Sequence, residues 1–153
     1  MEWIFDLLTN PYLITAVSSW AIAQVLKVLI NGAFQKKLSL ERLFGDGGMP
    51  SGHSATVTSL AVFMALRHGT GSYQFAITAI LAAIVCHDAM GVRQETGKQA
   101  MLLNEVLKSF TIADKELQNI KLKELVGHTP LQVLAGILVG FANAFFMYYI
   151  VLS

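Results

Sequence analysis

Residues 131–152 read LQVLAGILVGFANAFFMYYIVL, a stretch without a charged side chain. An α-helix crosses the hydrocarbon core of a bilayer with about 17 to 25 mainly apolar residues, so this stretch predicts a transmembrane helix. Three other stretches are candidates for the same role: residues 11–33, 51–67 and 73–92. The sequence therefore predicts about four transmembrane helices.

The composition favours a membrane protein over a soluble one. Of the 153 residues, 54% are hydrophobic and 14% are charged, whereas a soluble domain carries about 25% charged residues. The length suits one domain over residues 1–153. Residues 93–129 are more polar, and their apolar residues at 102, 103, 106 and 107 follow helical spacing. We therefore expect an all-α integral membrane helical bundle of about four transmembrane helices, with an added amphipathic or cytoplasmic helical segment.

The distribution of basic residues predicts the orientation of the chain. Nine Lys and Arg residues lie in the loops after the first and third spans, one lies in the loop after the second, and the tails have none. Because cytoplasmic loops carry the excess of Lys and Arg, both long loops are expected in the cytoplasm and both termini outside. A net charge of +1 without a basic run gives no support to nucleic acid as a partner. The expected partners are membrane lipids.

Two short motifs stand before apolar stretches on the predicted cytoplasmic side. Residues 47–53 read GGMPSGH, and residues 127–130 read GHTP. Glycine lets the backbone approach a ligand, proline suits the first helical turn, and the amides of a helix N-terminus attract anions. Two histidines that face one phosphate can act as nucleophile and general acid. Each histidine alone also fits a position at the membrane interface, so the pair carries the hypothesis.

The first motif, Pro50-Ser51-Gly52-His53, resembles the second signature of the type 2 phosphatidic acid phosphatase superfamily, which includes bacterial acid phosphatases and vanadium haloperoxidases. Residues 127–136, GHTPLQVLAG, are similar to the end of its third signature. With residues 88–93, DAMGVR, and 97–100, GKQA, the pattern resembles the superfamily's divergent bacterial and plant branch over nearly the whole chain.

The resemblance implies a metal-independent phosphatase with no cofactor. His128 would attack phosphorus to form a phosphohistidine, and His53 would protonate the leaving alcohol before activating water. Ser51 and the Gly52 amide would hold phosphate oxygens. An apolar bundle beside a cationic pocket suits a lipid phosphate monoester or diphosphate as the substrate, and the predicted orientation places it in the cytoplasmic leaflet.

Three positions depart from the family pattern. The arginine of the third signature falls on Leu122, and Arg93 is the candidate to replace it. The first signature is absent, and Lys27 is the candidate for its lysine, because an ionisable group inside a span is costly and usually functional. The acid that orients the nucleophile falls on Gln132, which accepts a hydrogen bond without a charge. In a serine-protease triad the comparable change lowers the rate by about four orders of magnitude.

Other residues can fill these roles or serve the structure alone. Asp88 and Glu124 are candidates for the missing carboxylate, and Asp88 can equally pair with Arg93 to close the third span. Lys27 can extend to the membrane interface, but the polar residues at positions 24 and 31 share its helix face and favour a polar site. Lys98 completes the expected phosphate-binding set, with a solvated surface position as its alternative.

Further alternatives remain open at this point. Gly136 and Gly140 form a small-residue stripe that can pack inside the chain or form a homodimer. His53, His87, Asp88 and His128 could instead bind a metal ion. Besides a lipid phosphatase, the sequence is compatible with a catalytically weak family member that binds phosphate or anionic lipid. It is also compatible with a small transport or assembly subunit of the membrane.

Overall fold

A computed structural model describes residues 2–35, 48–109, 122 and 127–151, without the side chains at 34, 35, 92–94, 108 and 109. These residues form six α-helices: α1 (Glu2–Leu8), α2 (Pro11–Gln35), α3 (Gly52–His68), α4 (Tyr73–Met90), α5 (Val92–Ser109) and α6 (Pro130–Phe146). Helix α6 continues into a π-helical turn, Met147–Val151. The described ranges contain no strand, so the predicted all-α class is confirmed.

Short polar side chains start the two helices that carry the histidine motifs. Ser51 caps α3 by accepting a hydrogen bond from the Ser54 amide. Thr129 caps α6 in a capping box, in which its side chain accepts from the Gln132 amide and the Gln132 side chain accepts from the Thr129 amide. Pro130 follows in the first turn, where its missing N–H costs nothing. Each cap stabilises its helix by about 0.5–2 kcal/mol.

Three helical stretches are long and apolar enough to cross a membrane: Pro11–Ala33, Tyr73–Leu107 and Pro130–Val151. The expected membrane bundle is therefore confirmed. Helix α3 is not one of the three, since its 17 residues rise only about 25 Å. It packs against α2, α4 and α6 instead. The expected fourth crossing stays a prediction for this central helix.

Helix α3 and helix α6 run parallel and in close contact. A Cβ added to Gly136 would collide with the carbonyl oxygen of Ser51, and one added to Gly140 would lie 2.6 Å from the carbonyl oxygen of Ala55. The contacts advance along both helices in the same direction, which places the two N-termini side by side. The glycine face thus packs against α3 inside one chain, as one of the two alternatives expected, and a homodimer stays a prediction.

Hydrogen bonds from buried polar side chains join α2 to both of these helices. Asn143 of α6 donates from Nδ2 to the Thr15 carbonyl at 3.0 Å and to Ser18 Oγ at 3.1 Å. Ser19 of α2 donates to the carbonyl of Ala55 in α3 at 3.0 Å. Polar groups inside a membrane bundle must find such partners, since lipid offers none. The three helices therefore form one unit that carries both motifs at one end.

Helix α5 corresponds to the first part of the expected amphipathic segment. Its apolar side chains are exposed at Met101, Leu102, Leu103 and Val106, and the helix follows α4 directly after Gly91. An exposed apolar stripe on a polar helix suits the surface of a membrane. The remainder of the segment, apart from Leu122 and residues 127–129, lies outside the described residues.

Candidate active site

The parallel packing of α3 and α6 brings together the two predicted histidines. The ring centroids of His53 and His128 lie 5.9 Å apart, and the ring planes are tilted by 59°. A hydrogen bond from a ring nitrogen to a phosphate oxygen spans about 2.7–3.2 Å. One phosphoryl group placed between the rings is therefore within reach of both.

His128 is held by hydrogen bonds on its backbone and on its ring. It is 4% exposed, and its amide donates to the carbonyl of Ala89, in the last turn of α4, at 2.9 Å. The preceding residue, Gly127, has a φ of 92°, a conformation in which glycine avoids the clash that a Cβ would cause. The ring atom Nδ1 lies 3.2 Å from Gln132 Oε1. These contacts define both where the ring lies and how it is turned.

The Gln132 contact also determines which ring nitrogen of His128 carries the proton in the neutral imidazole. Gln132 Oε1 accepts a hydrogen bond from the Thr129 amide at 3.1 Å, and a carboxamide oxygen can only accept. The assignment from this network is therefore a proton on His128 Nδ1 and the lone pair on Nε2. That tautomer is the one a nucleophilic histidine needs.

Gln132 also connects the two motifs through its main chain. Its carbonyl oxygen accepts a hydrogen bond from the Ser51 amide at 2.9 Å. One residue thus orients the ring of His128 and joins the start of α6 to the start of α3. The sequence predicted its first role, whereas the second depends on a contact between distant segments.

Ser51 is fully buried and acts as the cap of α3. Its Oγ accepts a hydrogen bond from the Ser54 amide at 3.3 Å and another from Ser54 Oγ at 3.0 Å. No hydrogen bond in the described part of the chain occupies the Gly52 amide, which belongs to the first turn of the helix. Of the two predicted phosphate ligands in this motif, the Gly52 amide is the one whose geometry suits an anion.

Lys27 lies beside the first motif and is 3% exposed. A Cβ placed on Gly48 would lie 3.2 Å from Lys27 Cγ, so the lysine stem packs against the loop that leads to Pro50. The φ of Gly48 is 91°, a second position where glycine suits the turn. The buried position does not fit the alternative in which this lysine extends to the membrane interface.

Gln24 lies at this end of α2, and the sequence predicted that it shares a polar helix face with Lys27. It is 8% exposed, and its Nε2 lies 3.8 Å from where a Cβ on Gly52 would be. Its Oε1 has no hydrogen-bond partner among the described residues, and neither does Asn31 Nδ2. In the sequence, the spacing of Gln24 and Asn31 from Lys27 indicated that the three residues share one helix face. These amides give α2 a polar face next to the first motif.

The remaining predicted residues are distributed differently. Asp88 is half-buried in the last turn of α4, directly before the residue that binds the His128 amide. Lys98 is exposed and its Nζ lies 2.6 Å from Glu95 Oε1 on α5, and no described contact joins it to either histidine. The side chain of Arg93 and all of Glu124 lie outside the described residues.

Leu122, which stands where the family pattern has an arginine, is attached to α5 by its backbone. Leu122 donates from its amide to Asn104 Oδ1 at 3.0 Å, and its carbonyl accepts from Asn104 Nδ2 at 2.9 Å. Asn104 is buried. This pair fastens the chain six residues before His128, a contact that the sequence offered no means of predicting.

His53 differs from His128 because it is exposed. It lines a groove of about 390 Å³ between α2, α3 and α4, whose other walls are Val17, Trp20, Thr56, Val57 and Val85. Such a volume lies within the range of small-molecule pockets. The His53 ring thus lies next to both His128 and an apolar groove.

The four residues considered for a metal ion do not form such a cluster. Within the described ranges, no three side chains of His, Cys, Asp or Glu are grouped closely enough to hold one. The arrangement that the structure offers is a pair of imidazoles beside a helix N-terminus and a buried lysine.

The fold is that of an α-helical membrane protein with a pair of adjacent histidines at one end of its bundle. The chain belongs to the divergent PAP2 family, whose model matches residues 8–143. It is also 42% identical over 146 residues to the uncharacterized membrane protein YuiD of Bacillus subtilis (strain 168), with 88% of this chain and 92% of the relative covered. No solved structure matches the chain. The resemblance drawn from the motifs is therefore confirmed.

Proposed function

We propose that this membrane protein is a metal-independent phosphatase that hydrolyses a lipid phosphate monoester or diphosphate at the cytoplasmic face. The observation that carries the proposal is the 5.9 Å separation of the His53 and His128 rings. It is supported by the hydrogen bond between His128 Nδ1 and Gln132 Oε1. Because that bond places the proton on Nδ1, the lone pair of Nε2 is available as the nucleophile. The cytoplasmic face follows from the excess of Lys and Arg in the two long loops.

In the first step, Nε2 of His128 attacks phosphorus, and the bond between phosphorus and the alcohol oxygen breaks. Protonated His53 gives its proton to that oxygen, so the alcohol leaves neutral. In the second step, His53 accepts a proton from water while the water oxygen attacks phosphorus. The phosphorus–nitrogen bond breaks, inorganic phosphate leaves, and His53 is protonated again for the next cycle.

The surroundings of the pair suit a charged phosphoryl group. The Gly52 amide and the positive end of the α3 dipole favour an anion between the rings. Lys27 lies on the adjacent helix, with its stem packed against the loop that enters the motif. We assign to Lys27 the neutralisation of phosphate charge, which would explain why a buried lysine is tolerated in a membrane helix.

The test is release of inorganic phosphate from phosphatidate and from a prenyl phosphate by purified protein in liposomes. We expect turnover by the wild type and its loss in His128→Ala. The matched control is His68→Ala, because His68 belongs to the same bundle but binds Tyr12 Oη, at 2.6 Å, far along α3 from the motif. Acid-labile, alkali-stable labelling of the protein by phosphorus-32 substrate would support the phosphohistidine. Absence of both release and labelling would contradict the proposal.

Gln132 gives a specific reason for a second candidate, a family member that binds phosphate or anionic lipid with little turnover. A neutral amide orients the ring but cannot stabilise imidazolium by charge. The same liposomes separate the two functions, because a binding protein would retain phosphatidate without releasing phosphate. Equal retention by wild type and by His128→Ala would contradict binding between the rings.

A further inference from the structure

The groove beside His53 has walls from three helices. Helix α2 contributes Val17 and Trp20, α3 contributes Thr56 and Val57, and α4 contributes Val85. The hydroxyl of Thr56 donates to the carbonyl of Gly52 at 2.8 Å, so its hydrogen-bonding capacity is used by its own helix. The surface of the groove is therefore apolar everywhere except at His53.

The groove opens towards the side of the bundle. Val17 is 59% exposed and Trp20 is 40% exposed, and both lie in the stretch Pro11–Ala33, which is long and apolar enough to cross a membrane. Exposed apolar side chains on a membrane helix face hydrocarbon. A lipid tail can therefore enter the groove sideways, without leaving the bilayer.

The polar end of the groove coincides with the candidate active site. The His53 ring that closes the groove lies 5.9 Å from the ring of His128. A molecule that fills both places has a phosphate at one end and a hydrocarbon chain a few bonds away from it, as phosphatidate and a prenyl phosphate both have. An ester of a soluble alcohol would fill the polar part alone.

We infer that this groove holds the hydrocarbon tail of the lipid phosphate whose head group lies between the two histidines, an inference that rests on the proposed function. The tail is as well solvated by lipid as by the groove, so its binding adds little affinity. Its effect is to hold the leaving oxygen at His53. Groove contacts are therefore expected to act on turnover of tailed substrates and not on soluble ones.

Trp20 provides a direct probe of the groove. The chain has two tryptophans, and Trp3→Phe removes the other one, which is exposed on α1. In this background we would compare fluorescence quenching by phosphatidate and by phosphatidylcholine, each brominated on the tail and present at the same mole fraction in liposomes. Stronger quenching by phosphatidate is expected. Equal quenching would overturn the inference, because the groove would then contain bulk lipid.

Filling the groove tests whether it is the place where the tail binds. Val57→Phe and Val85→Phe narrow it from two different helices, so a failure of one variant to fold leaves the other. Ile77→Phe is the matched control, since Ile77 is an exposed apolar residue of α4 outside the groove. The preference for phosphatidate should disappear in the groove variants and persist in the control. Its persistence in a folded groove variant would overturn the inference.

Turnover separates this inference from the proposed function. In the groove variants, hydrolysis of phosphatidate should fall by about 10- to 100-fold because the reacting atoms are misplaced, while hydrolysis of p-nitrophenyl phosphate should persist. Equal losses on both substrates would overturn the tail assignment but leave the phosphatase proposal intact. If the wild type hydrolyses neither substrate, the phosphatase proposal fails, and the quenching preference alone decides whether the groove binds the tail.

Discussion

The starts of α3 and α6 look alike in sequence but hold their histidines differently. Each has a glycine with positive φ, a capping hydroxyl and a proline close to its histidine. His128 is buried, with its amide on Ala89 and its ring on Gln132. His53 is exposed and lines the apolar groove. The difference teaches that similar motifs can hold one ring in a fixed orientation and leave the other open to a groove, which is the division of roles that the proposed reaction requires.

The largest expected effect comes from removing each ring in turn. His128→Ala should abolish release of phosphate from every ester, since no nucleophile remains. His53→Ala should lower release from an alkyl phosphate by about 10²–10⁴-fold, the usual contribution of a general acid, and affect p-nitrophenyl phosphate far less. Initial rates on the two esters measure this split. Equal losses on both esters in His53→Ala would contradict the division of roles.

Restoring charge beside His128 should sharpen the contrast between the two rings. Gln132→Glu keeps an acceptor for the ring and for the Thr129 amide, and adds a carboxylate that stabilises imidazolium. Since loss of the comparable acid costs about 10⁴-fold in a serine-protease triad, we expect the rate to rise at least about tenfold. Gln132→Leu, which removes both hydrogen bonds, is the paired variant and should lower the rate. A lower rate in Gln132→Glu would contradict the idea that the uncharged amide of Gln132 limits the reaction.

Substitution of two lysines, one at a time, tests which cation acts with the two histidines. Lys27→Met removes a buried charge beside the first motif, and Lys98→Met removes an exposed one that is paired with Glu95. A hydrogen bond to a charged group contributes about 1.5–3 kcal/mol, so Lys27→Met should lower kcat/KM by about tenfold or more. Lys98→Met should leave kcat/KM unchanged. Equal behaviour of the two variants would remove Lys27 from the site.

The smallest expected effect concerns the packing that holds the two helix starts together. Gly136→Ala places a Cβ against the Ser51 carbonyl oxygen, whereas Gly71→Ala has no heavy atom within 4 Å of the added group. We expect Gly136→Ala to destabilise the bundle by about 1–3 kcal/mol, as overpacking of a close contact usually does. Thermal unfolding in detergent measures the difference. Equal unfolding midpoints would contradict the close contact between α3 and α6.

The fold was predictable where apolar residues continue over the length of a helix. Long apolar stretches predicted α2, α4 and α6, because a helix that faces lipid must be apolar over its full length. Helix α3 was predicted as a helix, but its hydroxyls lie buried at Ser54, Thr58 and Ser59, so its apolar signal is weak. Helix α1 was not predicted, since seven residues are too few to show a period.

The site was predictable where the chemistry lies within a motif. His53 and His128 were named from their motifs and Gln132 from the resemblance to the family pattern, and the structure brings the three together. The spacing of Gln24 from Lys27 predicted a shared polar face, but not that this face lies against Gly52 of the first motif, because that contact joins two different helices. The attachment of Leu122 to Asn104 was missed because two backbone hydrogen bonds leave no mark on either residue type.

By itself, the sequence determined the membrane class, the family and the identity of the two histidines, because apolar length and local motifs are properties of short segments. Only the tertiary structure decided that the motifs face each other, that Gln132 joins them, and that His53 alone borders an apolar groove. These facts depend on the parallel contact of α3 and α6 at two glycines. Segments more than 70 residues apart meet there, and no local pattern encodes the direction in which they pack.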